Sequence, residues 1–359
     1  MNITEKAKNI IDNCRFCWMC RHVCPIGNAT GLERNTARAR AMAVSLVVRG
    51  ATDLKEVAEN IYECSLCGAC TNNCMTGFDP KVFIQETKTE VVLNGHAPGY
   101  VTSLLEKYQE KGSIYNEEIC SCLDGYFSAD SSTALLVGHD ALYKAPKAVK
   151  NALTLLEKAG EKVALDNNQD TGATLWFLTG KTAETLEKAK ALVESLNKYK
   201  KVIVYDPIDY KLIVQEYKQW GLDVQAEIIP FNNYLLSLLK DGKIKVNKGA
   251  TEYTVQDNYA YARDLDDCVT VREIVGYVGV NKEMLLHGKE ANMAGNLIMN
   301  EYMPNVIKQV ALDRWTNAIN MGCKTLVTEN PAEYVMLKAT APENYRVISV
   351  EEMLLENMQ

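Results

Sequence analysis

Apolar residues in the first hundred positions recur with the spacing of helices. One segment places them at i, i+3, i+4 and i+7, on Leu54, Val57, Ala58 and Ile61. Asp53 precedes this segment as a cap, with Glu56 three residues later. An alanine-rich segment, 37–48, predicts an earlier helix that ends at Gly50. A third helix is predicted after Asp79-Pro80, so this part of the chain is expected to be all-helical.

The pattern changes near residue 134, where short apolar runs begin to alternate with helical segments. The predicted strands are 134–137, 174–178 and 202–205. The predicted helices between and after them are 148–159, 183–196 and 208–220. Strands that alternate with helices of this length predict βαβ units, in which the strands are parallel.

The strand and helix pattern then recurs within the chain. The segment 201–210 is echoed by 324–334, and each is followed by a helix, a strand and a leucine-rich helix. This self-similarity predicts two α/β repeats, 134–248 and 251–359. With a helical domain at 1–100 and a connector at 101–133, the predicted fold class is α+β multidomain: an all-helical domain, then two α/β repeats with mostly parallel sheets.

Charge is distributed unevenly, and it excludes some classes of function. The first hundred residues carry 11 Lys and Arg against 10 Asp and Glu, whereas the whole chain has a net charge of −7. No basic stripe appears in the larger, acidic part, so a nucleic-acid binder is not expected. Apolar stretches are too short for a direct membrane span. Twelve cysteines without a secretory leader predict a reducing, cytoplasmic setting, with membrane association through a partner left open.

Two cysteine runs share one spacing, C-x2-C-x2-C-x3-C. The first comprises Cys14, Cys17, Cys20 and Cys24, followed by Pro25, and the second comprises Cys64, Cys67, Cys70 and Cys74. This spacing is typical of bacterial-type 4Fe-4S clusters, in which the fourth cysteine of each run binds the other cluster. We therefore predict one cluster on Cys14, Cys17, Cys20 and Cys74. The second cluster is predicted on Cys64, Cys67, Cys70 and Cys24.

The alternatives are disulfides and zinc sites. Disulfides are disfavoured because the chain has no secretory signal and four thiols fall within eleven residues. Zinc is normally held by two separated C-x2-C pairs rather than three cysteines in tandem. Arg15 and Arg21, beside the first run, either balance cluster charge or dock an acidic partner, and Phe16 and Trp18 are expected to shield the clusters.

Two further segments carry a resemblance to a known family. These are Asn35-Thr36-Ala37-Arg38-Ala39-Arg40, between the runs, and Tyr62-Glu63 before the second run. With the cysteines, the stretch from Cys14 to Pro98 resembles the α-helical dicluster ferredoxin module of heterodisulfide-reductase-like iron–sulfur proteins. That group includes the iron–sulfur subunits of glycolate oxidase, anaerobic glycerol-3-phosphate dehydrogenase and lactate-utilisation complexes. Met75 departs from the family's pattern, which has proline there.

The repeats resemble the family's two cysteine-rich (CCG) domains, but without their cluster cysteines. Where the family has C-P-x-C, this chain has Asp206-Pro207-Ile208-Asp209 and Asn330-Pro331-Ala332-Glu333. Tandem cysteines before glycine are replaced by Asp170-Thr171-Gly172 and Met293-Ala294-Gly295, and G-C by Gly138-His139. These polar residues are expected to cap strand ends, with a hard-metal site as the alternative. Cys120 and Cys122, in the connector, are expected to be idle thiols.

The resemblance implies an electron-transfer subunit of a multi-subunit anaerobic oxidoreductase, with no catalytic residue of its own. It implies a hetero-oligomer in which FAD or FMN sits only on a partner, a flavoprotein dehydrogenase or an electron-transfer flavoprotein. On the other side it implies a ferredoxin or a quinone-linked protein. Two alternatives stay open: a reductase that binds substrate between the repeats, and a redox-responsive adaptor.

Overall fold

Helices make up most of the residues that the structure, a computed structural model, describes, namely 1–127 and 130–359. The α-helices are α1 (Glu5–Asn13), α2 (Pro25–Thr30), α3 (Ala37–Val48), α4 (Leu54–Tyr62), α5 (Ala69–Asn72), α6 (Pro80–Leu93), α7 (Gly99–Lys111), α8 (Asp124–Phe127), α9 (Pro146–Lys158), α10 (Ala173–Thr179), α11 (Ala183–Leu196), α12 (Pro207–Lys211), α13 (Phe231–Lys240), α14 (Thr270–Val278), α15 (Leu297–Asn300), α16 (Pro304–Met321), α17 (Pro331–Ala339) and α18 (Val350–Glu356). The strands are β1 (Thr133–Leu136), β2 (Ala164–Leu165), β3 (Lys201–Val204), β4 (Glu227–Pro230), β5 (Glu252–Gln256), β6 (Val280–Asn281), β7 (Thr325–Thr328) and β8 (Arg346–Ser349).

The three helices predicted in the first hundred residues are present as α3, α4 and α6. The Thr36 hydroxyl caps α3 by accepting a hydrogen bond from the Ala39 amide at 3.3 Å. Asp79 caps α6, whose first residue is the proline that a helix tolerates at that position. Asp53 occupies the N-cap position of α4, although its side chain makes no capping hydrogen bond.

The first of two compact units contains residues Met1–Ile114, Gly172–Leu186 and Asn296–Val310. Its centre is α6, which packs against α1, α3, α4 and α10. Phe83, Ile84 and Val91 on α6 are fully buried there. The unit therefore recruits two short pieces of chain from well beyond residue 114.

Residues 174–178 are helical, so the strand predicted there was wrong. They lie in α10, whose last four carbonyl oxygens all accept side-chain hydrogen bonds from α4 and α6. Gln85 donates to Trp176, Lys88 to Phe177, Tyr62 to Leu178 and Thr89 to Thr179, at 2.7 to 3.1 Å. In a short run of apolar residues there is no alternation with polar residues, so hydrophobic periodicity cannot distinguish a strand from a buried helix. Here tertiary hydrogen bonds satisfy the open end of the helix.

The second unit contains residues Tyr115–Thr171, Glu187–Gly295 and Ala311–Gln359 and holds both sheets. The strand orders are β2-β1-β3-β4 and β6-β5-β7-β8, and all pairings within them are parallel. The first strand of each sheet is followed by a π-helical turn, Asp140–Lys144 and Ala260–Asp264. The fold class predicted from the sequence is confirmed: a helical N-terminal region and two four-stranded parallel sheets.

A single apolar core joins the two sheets of the second unit. It includes Leu135 and Ile203 from one sheet and Val255 and Val327 from the other, all fully buried. Trp315 on α16 is buried against it, and its indole N–H donates to the Leu337 carbonyl at 3.0 Å. Aliphatic residues from both sheets thus stabilise one unit.

The predicted connector, 101–133, contains most of α7, the 3-10 turn Ser121–Leu123 and α8, and its Ser128 and Ala129 lie outside the described residues. The domain boundaries stay a prediction. Nowhere in the described chain is a helix both long and apolar enough to cross a bilayer.

Candidate iron–sulfur site

Four thiols line a cavity at the end of α1. They are Cys14, Cys17 and Cys20 from the first run and Cys74 from the second. Cys14 follows α1 directly, and Cys74 is brought beside it by Thr76, whose hydroxyl donates to the Asn13 carbonyl at 3.1 Å. The cavity is therefore built from both cysteine runs.

A second cavity is lined by the other four cysteines of the runs, Cys24, Cys64, Cys67 and Cys70. Cys24 is the N-cap of α2, where its sulfur accepts a hydrogen bond from the Gly27 amide at 3.4 Å. Helix α4 ends two residues before Cys64 and so delivers the second run to the cavity. The structure groups the eight thiols in the two crossed sets that the sequence predicted as ligands.

The two runs have the same backbone shape. Phe16 and Leu66, each just before the second cysteine of its run, have positive φ of 51° and 59°. The Leu66 amide donates to the Cys64 sulfur at 3.4 Å. Burial raises the pKa of the Cys14 thiol, and the Phe16 amide, which donates to it, opposes that rise. Amides that point at sulfur stabilise its anionic form. Both loops are therefore shaped to hold thiolates.

Two cations are buried next to the second cavity, and sequence reasoning missed both. Arg40, 1% exposed, donates to the carbonyls of Asn35, Asn60 and Glu63 at 2.7 to 2.9 Å. Lys88, 0% exposed, donates to Phe177 and lies over its ring, and it interacts electrostatically with Cys64. The available signal was weak: each is a charged residue on the apolar face of a helix.

These residues fit a 4Fe-4S cluster in each cavity. Soft thiolates are the ligands of such clusters, and each cavity offers four. A 4Fe-4S core with four thiolates is anionic overall, so Arg40 and Lys88 would find there the opposite charge that buried cations need. Within the described chain, no three His, Cys, Asp or Glu side chains could hold a single metal ion. A cubane is a different case, because each thiolate binds a different iron.

The polar residues that were expected to cap strand ends lie in the second unit. Asp206 and Asn330 follow β3 and β7 and are the N-caps of α12 and α17, so they cap helices rather than the strand ends that were expected. They also meet, since the Asn330 amide donates to Asp206 at 3.1 Å. Asp209 is buried, and its carboxylate packs so closely on Gly138 that a Cβ atom on residue 138 would collide with it. The Thr171 hydroxyl donates a hydrogen bond to the Asp209 carboxylate.

Several carboxyl groups in this region have raised pKa values because burial disfavours their charged form. Desolvation raises the pKa of Asp140 to about 6 and those of Asp209 and Glu333 to about 7. Asp206 and Glu329 are shifted in the same direction. These carboxyl groups therefore bind more protons in the folded chain than in the unfolded chain between about pH 4 and pH 7.

The contribution of these carboxyl groups to the free energy of unfolding is accordingly expected to fall as pH rises through this range. Asp209→Asn removes one buried charge and keeps an oxygen for the Thr171 hydroxyl. At pH 8 it should raise the free energy of unfolding, by about 1.4 kcal/mol per unit of pKa shift. At pH 4.5 the effect should be small. Anaerobic urea unfolding at both pH values measures this, with Asp241→Asn, at an exposed site, as control. A variant less stable than the native chain at pH 8 would contradict the burial argument.

Cys120 and Cys122 form a disulfide, which corrects the expectation of idle thiols. With one residue between them, their Cα atoms lie 5.2 Å apart, inside the range that a disulfide spans.

Comparison with known proteins bears on the N-terminal region and on the fold. Residues 10–78 match the family model described as a 4Fe-4S dicluster domain. No curated protein sequence matches the chain. A crystal structure of a hypothetical protein from Helicobacter pylori is similar in fold, with a TM-score of 0.62, 13% identity, and coverage of 99% of this chain and 73% of that one. Picrophilus torridus aspartate racemase aligns with a TM-score of 0.33, 8% identity, and coverage of 63% of this chain and 94% of that one. The match of residues 10–78 to the 4Fe-4S dicluster model supports an iron–sulfur, ferredoxin-like domain in the N-terminal region.

Proposed function

We propose that this chain is the iron–sulfur electron-transfer subunit of a multi-subunit anaerobic oxidoreductase. The observation that carries the proposal is the pair of cavities, each lined by four thiols drawn from both cysteine runs. One cluster is held by Cys14, Cys17, Cys20 and Cys74. The other is held by Cys64, Cys67, Cys70 and Cys24.

The bound clusters would accept and release single electrons, and the chain supplies their environment. The amides of Gly27 and Leu66 donate to the sulfurs of Cys24 and Cys64. Arg40 and Lys88 place positive charge beside the second set. Bond-making chemistry would belong to a partner. We propose that this partner carries FAD or FMN, and that the second unit serves as a docking scaffold in a hetero-oligomer.

Anaerobic purification followed by iron and acid-labile sulfide analysis tests the proposal. About eight of each per chain are expected, as two 4Fe-4S clusters require. The brown protein should be reduced by dithionite and reoxidised by small dyes, and the chain alone should turn over no organic substrate. A colourless protein, or one with about four irons, would contradict it.

A further inference from the structure

We propose that the exposed loop around Cys17 is the face on which an acidic, electron-carrying protein docks. The inference rests on the function proposed above and names the surface through which it would act. The Trp18 face, as we call it, consists of Arg15, Phe16, Cys17, Trp18, Met19, Arg21 and Met75.

Large apolar side chains are exposed on the Trp18 face. Phe16, Trp18 and Met19 are 42%, 44% and 45% exposed, and Met75 is 90% exposed. Phe16 and Trp18 were expected to shield the clusters, and they do line the first cavity, yet much of each ring faces solvent. Exposed aromatic and methionine side chains that cluster around a functional centre are typical of protein contact surfaces.

Trp18 has a backbone conformation that its own side chain does not favour. Its φ is +72°, and the matching position of the second run, after the second cysteine, is Gly68 with the same φ of 72°. A left-handed conformation costs a residue with a Cβ more than it costs glycine. Neither backbone geometry nor burial accounts for tryptophan here. Such strain tends to be kept at functional sites.

Arginines hold the Trp18 ring in place. The Arg38 guanidinium lies 4.4 Å from the ring centroid and also donates to the Phe16 carbonyl at 3.2 Å. The Arg21 guanidinium lies 5.4 Å from the same ring. Cation–π stacking of this kind preorganises an exposed side chain, so less freedom is lost when a partner binds.

The charge of the Trp18 face selects the partner. Arg15 and Arg21 are exposed, and neither forms an ion pair in the described part of the chain. Arg38 is neutralised by its ion pair with Glu33. Of the described residues that line the first cavity, none is acidic. An apolar centre with a basic rim is complementary to an acidic surface, which it would attract over a distance.

The two cavities differ in access, and this places the docking face at the first one. Cys17 is exposed, whereas the second cavity is lined by one buried and three half-buried cysteines. A partner on the Trp18 face would therefore contact a ligand of the first cluster directly.

Binding of two small electron carriers tests the inference. Flavodoxin supplies an acidic surface, and cytochrome c supplies a basic one. The native holoprotein should bind flavodoxin with an affinity that falls as salt rises, and should bind cytochrome c at least about tenfold more weakly. Trp18→Gly should weaken flavodoxin binding at least about tenfold. Melting temperature and iron content, measured on the same sample, show whether the variant stays folded and loaded, and glycine suits φ +72°.

The double variant Arg15→Glu, Arg21→Glu should abolish the salt-dependent part of binding, with Arg49→Glu, at an exposed arginine after α3, as the control. Unchanged flavodoxin binding in Trp18→Gly and in the double variant would overturn the inference. If the native holoprotein bound phosphatidylserine vesicles as tightly as flavodoxin, the Trp18 face would be assigned to a membrane, and this result would also overturn the inference. Loss of iron from the native chain would instead contradict the proposed function, so the two failures are distinguishable.

Discussion

Replacement of Cys74 by serine is expected to remove the iron held by Cys14, Cys17 and Cys20, and to spare the iron bound by the rest of its own run. The reason is the crossing of the two runs: Cys74 lines the first cavity, where Thr76 ties it to the end of α1. A serine hydroxyl is a harder and weaker ligand than a thiolate for an iron–sulfur centre. Iron should fall from about eight to about four per chain.

Thiol labelling shows which set has lost its iron. Under anaerobic conditions iodoacetamide should modify Cys14, Cys17 and Cys20 in Cys74→Ser, and mass spectrometry of the peptides locates the labels. The reciprocal variant, Cys24→Ser, should expose Cys64, Cys67 and Cys70 to the reagent. Labels on Cys64, Cys67 and Cys70 in Cys74→Ser would show that each run holds its own cluster, and the crossed assignment would then be wrong.

Lys88→Met is expected to lower the midpoint potential of the centre bound by the second set. Lys88 is fully buried, and burial lowers its pKa to about 7, while the neighbouring Cys64 thiolate opposes that shift. An anionic centre there would keep the ammonium group charged. A unit charge roughly 10 Å away at an effective dielectric of about 20 contributes about 1.7 kcal/mol. In a one-electron couple this corresponds to about 70 mV.

Lys55→Met is the control for this measurement. Lys55 is exposed on α4, so solvent screens its charge. Redox titration followed by EPR should show a clear downward shift for Lys88→Met and a smaller one for Lys55→Met. Equal shifts, or no shift for Lys88→Met, would show that the buried ammonium does not act on the centre.

The sequence predicted the elements whose signals are local. Helix α3 begins after Thr36 and α6 begins after Asp79, because capping residues and proline mark those ends whatever the rest of the chain does. The parallel sheets followed from the alternation of short apolar runs with helices. The eight cysteines were predicted as ligands from their spacing alone, which stays a prediction, and the structure lines two cavities with them in the sets that the spacing implies.

Features that depend on distant segments could not be predicted in the same way. The strand predicted at 174–178 is helix α10 because Tyr62 and Lys88, about ninety to over one hundred residues earlier, donate to its carbonyls. Arg40 and Lys88 resemble ordinary helix residues in the sequence, since their role depends on which sulfurs they meet in the folded chain. The left-handed Trp18 is likewise invisible without its backbone, because tryptophan gives no local signal for φ +72°.

The recruitment of residues 172–186 and 296–310 into the first unit bears on how the protein matures in the cell. A ribosome that has released residue 114 has not yet made α10, so the donors of Tyr62, Gln85, Lys88 and Thr89 still lack their acceptors. The first unit is complete only when translation has passed residue 310. A gene shortened to residues 1–114 would encode both sets of cysteines but not the carbonyl groups that accept hydrogen bonds from Tyr62, Gln85, Lys88 and Thr89.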